Sequence, residues 1–134
     1  MDTGKVYVAG WSSGAWLANY LACARGNVIT GTAAGSGGLQ HDHGACTGGA
    51  AVMILPGDAA STPQNGFDIG AGPARDTFLA ANGCAATSQN VKFGNVNCQI
   101  YDGCKQPVTW CDGGGDHGGP LNVIAEASWG FWKP

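Results

Sequence analysis

A serine between two glycines is the residue of this sequence with the clearest chemical potential. Ser12 is the centre of a G-x-S-x-G segment, GWSSG at positions 10–14, which follows an apolar run and precedes a stretch with helical spacing. A serine on a sharp strand-to-helix turn projects its hydroxyl from the end of the strand, and the flanking glycines give the turn room. The pattern predicts that Ser12 is a nucleophile and that the Ser13 N–H, at the helix N-terminus, faces a developing oxyanion. We expect Trp11 to contact substrate; the alternative is a Gly/Ser-rich turn without chemistry.

A histidine in a glycine loop is the matching candidate for a general base. His117 lies in the segment DGGGDHGGP at positions 112–120, just after a predicted strand, whereas the other histidines of the chain lie together at positions 41 and 43. A serine hydroxyl is a poor nucleophile without an imidazole base, and the imidazole needs a carboxylate to orient it. Serine after an early strand, a carboxylate after a middle strand and histidine after the last strand is the chain order of the α/β-hydrolase triad. The alternative for His117 is a solvated residue in a surface loop.

The elements that must position these residues follow from the hydrophobic pattern. Short apolar runs predict strands at 5–9, 28–33, 50–55 and 107–111, and helical spacing predicts helices at 13–25, 74–82 and 120–132. Strand, helix and strand in that order form a parallel unit with a right-handed crossover. We therefore expect an α/β fold with a mainly parallel sheet and flanking helices. Segments 39–49 and 85–97 are expected to be loops, and Trp129 and Trp132 are expected in the core.

Size and charge limit the classes of function. The chain has 134 residues, a length typical of one domain, and we interpret residues 1–134 as a single domain. The net charge is −3 and the six Lys and Arg residues are scattered, so the sequence lacks the basic patch of a nucleic-acid-binding protein. No apolar run reaches the length of a membrane span, and residues 1–4 have the pattern of neither a signal peptide nor an anchor. We expect neither a nucleic acid nor a membrane as partner.

The cysteines indicate an oxidising compartment. Six of them occur in this small chain, and none has the C-x-x-C spacing of a zinc site or a redox motif. We therefore expect three disulfides in a secreted protein, extracellular or periplasmic; the alternative is a set of reduced, buried cysteines. Spacing alone does not choose among the possible pairings. A preference for short loops gives these pairs: Cys23 with Cys46, Cys98 with Cys104, and Cys84 with Cys111.

The segment His41-Asp42-His43 has the residue types of a metal site. Adjacent ligands from one loop, with no third ligand in view elsewhere in the sequence, are not typical of a metal centre. We therefore interpret these side chains as solvated and expect no metal.

Three segments carry a resemblance to a known family: VYVAGWSSGAWLANYLAC at 6–23, ARDTFLAANGC at 74–84 and YDGCKQPVTWCDGGGDH at 101–117. They resemble the secreted feruloyl esterase and polyhydroxybutyrate depolymerase branch of the α/β-hydrolases, over nearly the whole chain. The resemblance implies a three-layer α/β-hydrolase-like sandwich and a serine carboxylic-ester hydrolase that needs no cofactor. It implies a small or polymeric ester substrate of feruloyl, acetyl or polyhydroxyalkanoate type. It also implies Ser12 as the nucleophile and His117 as the base, since both lie in matching motifs.

The acid of the triad does not transfer as directly. The family usually places an Asp a few residues after a His-Gly at the end of the third strand seen here, whereas this chain has LPGDAA at 55–60. Asp58 is the nearest carboxylate and is the predicted acid, with Asp68 and Asp76 as alternatives.

The chain also starts later than the family pattern. The family carries several strands and helices before its nucleophile motif, and one of the missing loops normally supplies the second oxyanion donor. The sequence therefore predicts a truncated α/β-hydrolase-like fold. An interior strand would become an edge and an apolar helix face would lose its cover, so we expect a homo-oligomer, most simply a two-fold dimer. The alternative function is a catalytically weak or inactive carbohydrate- or polyester-binding remnant of the fold.

Overall fold

Strands and helices alternate along the chain in the computed structural model, which describes residues 2, 4–40, 42–57 and 68–133. The strands of this part are β1 (Tyr7–Trp11), β2 (Gly31–Gly35), β3 (Leu39–Gln40), β4 (Ala51–Leu55), β5 (Asp68–Ile69), β6 (Ser88–Phe93), β7 (Val96–Tyr101) and β8 (Val108–Cys111). The helices are α1 (Ser13–Ala24), α2 (Ala71–Ala81) and α3 (Gly119–Trp132). Not one of these helices is long and apolar enough to cross a membrane.

A six-stranded mixed sheet forms the centre of the fold, with the strand order β1-β2-β4-β8-β7-β6. The first four strands in this order are parallel. Strands β7 and β6 run antiparallel to their neighbours and extend the sheet as a hairpin. Strands β3 and β5 pair separately in an antiparallel ribbon. The prediction of an α/β fold is therefore confirmed, with a sheet that is parallel on one side and antiparallel on the other.

Helices cover both faces of the sheet. Val52 and Ile54 of β4 pack in one hydrophobic cluster with residues of α1 and α2. Met53 and Leu55, which alternate with them, pack in a second cluster with residues of α3. Strand β2 lies between these layers, and all of its residues, GTAAG, are buried. Their small side chains allow the helices to approach the sheet closely.

The parallel strands bring distant parts of the chain to one edge of the sheet. Because β1, β2, β4 and β8 run in the same direction, their carboxyl ends lie side by side. The chain leaves these four strands at Ser12, Ser36, Pro56 and Asp112. This edge is where ligands bind in open parallel sheets, and it contains both residues that the sequence singles out for chemistry.

The hairpin replaces a predicted loop, so the expectation for residues 85–97 is wrong. Val91 and Phe93 of β6, together with Val96 and Cys98 of β7, belong to the cluster beneath α3, while the residues between them are polar and exposed. This alternation is the pattern of a half-buried strand. The two strands are joined at a tight turn where Gly94 has a φ of 61°, a conformation that favours glycine.

Three disulfides connect the described elements. The pair Cys23–Cys46 is confirmed. The other two predicted pairs are wrong, because the bonds are Cys84–Cys104 and Cys98–Cys111. Cys98 and Cys111 are opposite each other in the register of β7 and β8, which local spacing in the sequence does not show. The remaining cysteines are brought together at the end of α2, where Lys105 N–H donates to the Asn82 carbonyl.

The tryptophans of α3 do not both lie in the core, as the helical stripe predicted. Trp129 is 70% exposed. Trp132 is partly buried and stacks on Tyr7, with ring centroids 4.9 Å apart. The face of α3 that contacts the sheet consists of smaller residues, among them Ile124 and Ala127. Small residues are favoured there because β2 and β4 lie close beneath the helix.

Candidate active site

Ser12 occupies a strained turn between β1 and α1. Its φ of 56° and ψ of −119° lie in a region that residues other than glycine rarely adopt, as expected for a serine on a nucleophile turn. The turn is secured by the Ser12 N–H, which donates to the Gly35 carbonyl at 2.9 Å. A Cβ on Gly10 would collide with the Gly14 carbonyl, whereas a Cβ on Gly14 would meet nothing within 4 Å. Only the first glycine of the motif is therefore sterically required in this turn.

His117 lies within hydrogen-bond distance of the serine. Its Nε2 is 3.1 Å from Ser12 Oγ, and both side chains are partly buried. The two residues are 105 positions apart in the chain and meet because β1 and β8 deliver them to the same edge of the sheet. A distance of this size allows the imidazole to take the hydroxyl proton. The structure thus brings together the predicted nucleophile and the predicted base.

The loop that carries His117 is shaped by short-range contacts. Asp112 Oδ1 accepts a hydrogen bond from the Gly114 N–H at 2.9 Å, and Asp116 Oδ1 accepts one from the Gly119 N–H. A Cβ on Gly113 would collide with the Pro56 carbonyl at the end of β4. These contacts use both nearby aspartates to fold the loop, so their carboxylates serve the backbone around the histidine.

The structure does not test the prediction that Asp58 is the acid of the triad. Asp58 lies outside the described residues, and of Asp68 only the backbone, in β5, is described. Asp76 is exposed on α2 and forms an ion pair with its neighbour Arg75 at 2.9 Å. Asp76 therefore has a partner other than the histidine, and Asp58 remains the prediction for the acid.

Ser13 and Trp11 flank the nucleophile. Ser13 is the first residue of α1, and its N–H donates to no acceptor among the described residues, as is usual in the first turn of a helix. The sequence predicts that Trp11 contacts substrate, which stays a prediction. Its indole Nε1 donates to the His117 carbonyl at 2.7 Å, and its ring lies 4.9 Å from the imidazole. Trp11 thus contacts the backbone and the side chain of the candidate base.

Ser36 is a site residue that the sequence analysis did not identify. It follows β2, is fully buried, and its Oγ donates to the same His117 carbonyl at 2.7 Å. Its φ of 55° is again unusual for a residue other than glycine. A polar residue within a glycine run directly after a buried strand, AAGSGG at 33–38, was the available signal. That signal is weak because glycine and serine are common throughout this chain.

A second cluster contains residues that can ligate metals. Nδ1 of His43 lies 3.5 Å from Cys23 Sγ and 3.9 Å from Cys46 Sγ. The two sulfurs are joined in a disulfide and therefore offer no thiolate. His41, the other histidine of this segment, lies outside the described residues.

Comparison with known proteins adds a distant relative. No family model matches the chain. The chain is 30% identical over 123 residues to feruloyl esterase D of Neurospora crassa. The match covers 87% of this chain and 41% of the fungal protein, so the chain spans about two fifths of that protein's length. The chain is distantly similar to an esterase. Together with three disulfides, this similarity is consistent with an extracellular location.

Proposed function

We propose that this chain is a serine carboxylic-ester hydrolase with an α/β-hydrolase-like fold, formed by residues 1–134 as one domain. The observation that carries the proposal is the 3.1 Å distance between Ser12 Oγ and His117 Nε2 at a strained strand-to-helix turn. The similarity to a protein named as an esterase supports the same chemistry. Strain of this kind is concentrated at functional sites, because it has to be maintained by the surrounding structure.

The proposed reaction proceeds through an acyl-enzyme. Ser12 Oγ attacks the ester carbonyl carbon while His117 Nε2 takes the hydroxyl proton, and the same proton then passes to the leaving alcohol. The Ser13 N–H, which is free to donate at the start of α1, stabilises the oxyanion. Water then attacks the acyl carbon and gives a proton to His117, which returns it to Ser12 Oγ as the bond between Oγ and the acyl carbon breaks and the carboxylic acid leaves. Asp58 orients the imidazole and stabilises its charged form, and the reaction needs no cofactor.

A mainly apolar cavity bordered by Ser13, the residue after the proposed nucleophile, suits the acyl part of the ester. It has a volume of about 550 Å³ and is lined by Ser13, Trp16, Leu17, Tyr20 and Gln40. Two aromatic rings and an aliphatic side chain suit a planar aromatic group better than a short acetyl group. Since the fungal relative is named a feruloyl esterase, we propose a feruloyl-type ester ahead of acetyl or polyhydroxyalkanoate esters.

Labelling with a fluorophosphonate probe tests this function, because such probes react with activated serines. Intact mass should show one probe on the native chain and none on the Ser12→Ala variant. Hydrolysis of methyl ferulate and p-nitrophenyl acetate by the native chain should accompany the labelling. A native chain that neither reacts with the probe nor cleaves either ester would refute the esterase proposal.

A second candidate function is carbohydrate binding, which a groove on the hairpin favours. A cavity of about 460 Å³ lies on the exposed face of β6 and β7 and is bordered by Gly113 and Gly115 of the histidine loop. A second cavity of about 430 Å³ continues it toward Lys92. We call this continuous depression the hairpin groove. The polar side chains along it are Asn90, Lys92, Asn97, Gln99 and Asp112.

The hairpin groove has the chemistry of a site for hydroxyl-rich ligands. The amides of Asn90, Asn97 and Gln99 are exposed, and none of them hydrogen-bonds to another described residue. Side-chain amides offer both donors and acceptors, as sugar hydroxyls require. Affinity for xylohexaose, measured by calorimetry on the Ser12→Ala variant, tests this candidate. Binding without any hydrolysis by the native chain would favour the binding remnant over the esterase.

We also propose that the chain self-associates through β1. This strand lies at the end of the sheet, and no other described strand pairs with its outer edge. Tyr7 on the same strand is 38% exposed. An open strand edge pairs readily with another strand, and a second copy about a two-fold axis is the simplest partner. Light scattering at micromolar concentration should show a dimer, and a monodisperse monomer would refute this proposal.

A secreted location, extracellular or periplasmic, is the remaining part of the proposed function. Three disulfides in a chain of 134 residues require an oxidising compartment to form and persist. Thiol titration of the native chain should therefore find no free cysteine. Six titratable thiols in freshly isolated native protein would contradict the proposal.

A further inference from the structure

We infer that Trp11 and Ser36 are positioning residues that hold the backbone of His117 at the distance the nucleophile needs. The inference rests on the proposed function. Both residues donate a side-chain hydrogen bond to one acceptor, the His117 carbonyl, and each bond is 2.7 Å long. A carbonyl oxygen has two lone pairs, so these two donors together satisfy it. Both hydrogen bonds act on the main chain of the base and not on its imidazole.

The two donors come from neighbouring strands, which makes their spacing rigid. Trp11 ends β1, and Ser36 follows Gly35, the residue paired with Trp11 in the parallel register. Ser36 is also bound through its backbone, because its N–H donates to the Leu55 carbonyl at 3.0 Å. The ends of β1, β2 and β4 therefore fix the donors, while the acceptor belongs to a loop.

The histidine loop needs external support because of its composition. Five of the eight residues at 112–119 are glycine, and Gly114 and Gly115 have φ values of 82° and 80°. Glycine loses more conformational freedom on ordering than any other residue, so contacts beyond those that Asp112 and Asp116 make within the loop help to hold its geometry. A displacement of about 1 Å in a catalytic group lowers a rate by about 100-fold. Two hydrogen bonds at the histidine itself are the most direct way to prevent that displacement.

The backbone of Ser36 indicates that its hydroxyl is the reason for its presence. Ser12 and Ser36 are the two residues other than glycine with positive φ in the described part of the chain. Glycine would adopt this φ without strain, and glycines lie on both sides at positions 35 and 37. A purely structural turn would favour glycine here. The strained serine instead supplies the donor that glycine lacks.

Substitutions of both donors test the inference through a split between kcat and KM. Ser36→Ala and Trp11→Phe should each lower kcat about 5-fold with KM unchanged, because the other donor still holds the carbonyl. The double variant should lower kcat about 100-fold, more than the product of the single effects. Ser128→Ala is the matched control, since Ser128 is buried and its hydroxyl also donates to a backbone carbonyl, that of Ala125.

The variant Ser36→Gly distinguishes an effect on the position of His117 from an effect on the stability of the fold. It removes the hydroxyl but relieves the backbone strain, so its melting temperature should equal or exceed that of Ser36→Ala while its kcat is as low. A structural role predicts that activity follows the melting temperature instead. Unchanged kcat in Ser36→Gly and in the double variant would overturn the inference.

Hydrogen exchange distinguishes failure of this inference from failure of the proposed function. Amides at 113–119 should exchange faster in the double variant than in the native chain, whether or not the chain hydrolyses esters. Faster exchange in a chain without esterase activity would support the positioning of His117 and refute only the esterase. Equal exchange in the native chain and the double variant would overturn the inference, even in an active enzyme.

Discussion

The parallel and antiparallel parts of the sheet place polar groups in different ways. In the parallel part, strands β1, β2, β4 and β8 end at one edge, and Ser12, Ser36 and His117 meet there although they are far apart in the chain. In the antiparallel part, β6 and β7 present amides along a face, spaced by the pleat of adjacent strands. Side chains that meet at one edge of the sheet can act together on a single reacting atom. Side chains spaced along a face can instead contact several units of an extended ligand. In the functions proposed above, the ester chemistry therefore belongs to the parallel edge and carbohydrate binding to the hairpin face.

The two parts also differ in how they are supported. The strands β2 and β4 are buried between helices on both faces. Among the described elements, only α3 covers the hairpin, on one face, and the disulfide Cys98–Cys111 links the hairpin to β8. Burial on both faces resists opening more strongly than burial on one. The parallel part is therefore expected to hold a fixed geometry, and the hairpin to depend on its covalent link.

The largest expected effect is on the chemistry at the parallel edge. Asp58→Asn should lower kcat about 1,000-fold or more with little change in KM, because an uncharged amide neither stabilises the imidazolium nor fixes the tautomer. Stopped-flow and steady-state hydrolysis of p-nitrophenyl acetate measure this effect. The affinity of the hairpin groove for oligosaccharide should remain as in the native chain, which would show that catalysis and binding depend on different parts of the sheet.

The alternative carboxylates serve as comparisons for Asp58. Asp76→Asn removes an exposed ion pair with Arg75 and should change kcat less than about 3-fold, since such pairs contribute little. Asp68→Asn should also be mild. A large effect at position 68 or 76 with a mild one at 58 would reassign the acid. Mild effects at all three would indicate that a backbone carbonyl or water orients His117.

An intermediate effect is expected from the link between the two parts. The double variant Cys98→Ala and Cys111→Ala opens a loop of sequence separation 13 and should lower the free energy of unfolding by about 3 kcal/mol. Urea unfolding measures the loss, and hydrogen exchange should show faster exchange in β6 and β7 than in β2 and β4. Specific activity of the folded fraction should stay within about 2-fold of the native chain.

The pair Cys84–Cys104 provides the control for this prediction. Its sequence separation of 20 gives a similar entropic contribution, but it joins the end of α2 to the segment after β7. Its removal should destabilise the chain to a similar extent without selectively exposing the β6–β7 amides. Uniformly faster exchange in all strands after loss of Cys98–Cys111 would show that the hairpin and the parallel part unfold as one unit.

The smallest expected effect concerns the hairpin groove. Asn90→Ala with Gln99→Ala should raise the dissociation constant for xylohexaose about 10-fold, because two donor and acceptor groups are lost. Hydrolysis of p-nitrophenyl acetate, which lacks a carbohydrate, should be unchanged. Gln89→Ala is the control, since Gln89 is adjacent to Asn90 but on the opposite face of β6. A loss of activity toward the small ester would show that the two parts are not separable.

The secondary structure of the parallel part could be predicted from the sequence more accurately than that of the hairpin. In the parallel part, the strand predicted at 50–55 is Ala51–Leu55, and the helix predicted at 13–25 is Ser13–Ala24. The strand predicted at 28–33 is Gly31–Gly35 instead, because burial of small residues between helices outweighs the preference of β-branched residues for strands. The hairpin was missed altogether, since its exposed face is rich in Asn and Gln, which suggested a loop.

The sequence by itself determined the local chemistry of this protein. The spacing GWSSG specifies a strand-to-helix turn with Ser12 at its centre, and the glycine loop after the last parallel strand contains the one histidine outside positions 41–43. Both follow from properties of single residues and their neighbours: the steric freedom of glycine and the periodicity of apolar side chains.

Only the tertiary structure decided which distant residues meet. The contact of Ser36 and Trp11 with the His117 carbonyl depends on strand order and register, as does the pairing of Cys98 with Cys111. Neither follows from local spacing, because many strand orders are compatible with the same apolar runs. Burial of both faces favours interior positions for β2 and β4, and the observed strand order places the donors beside the histidine.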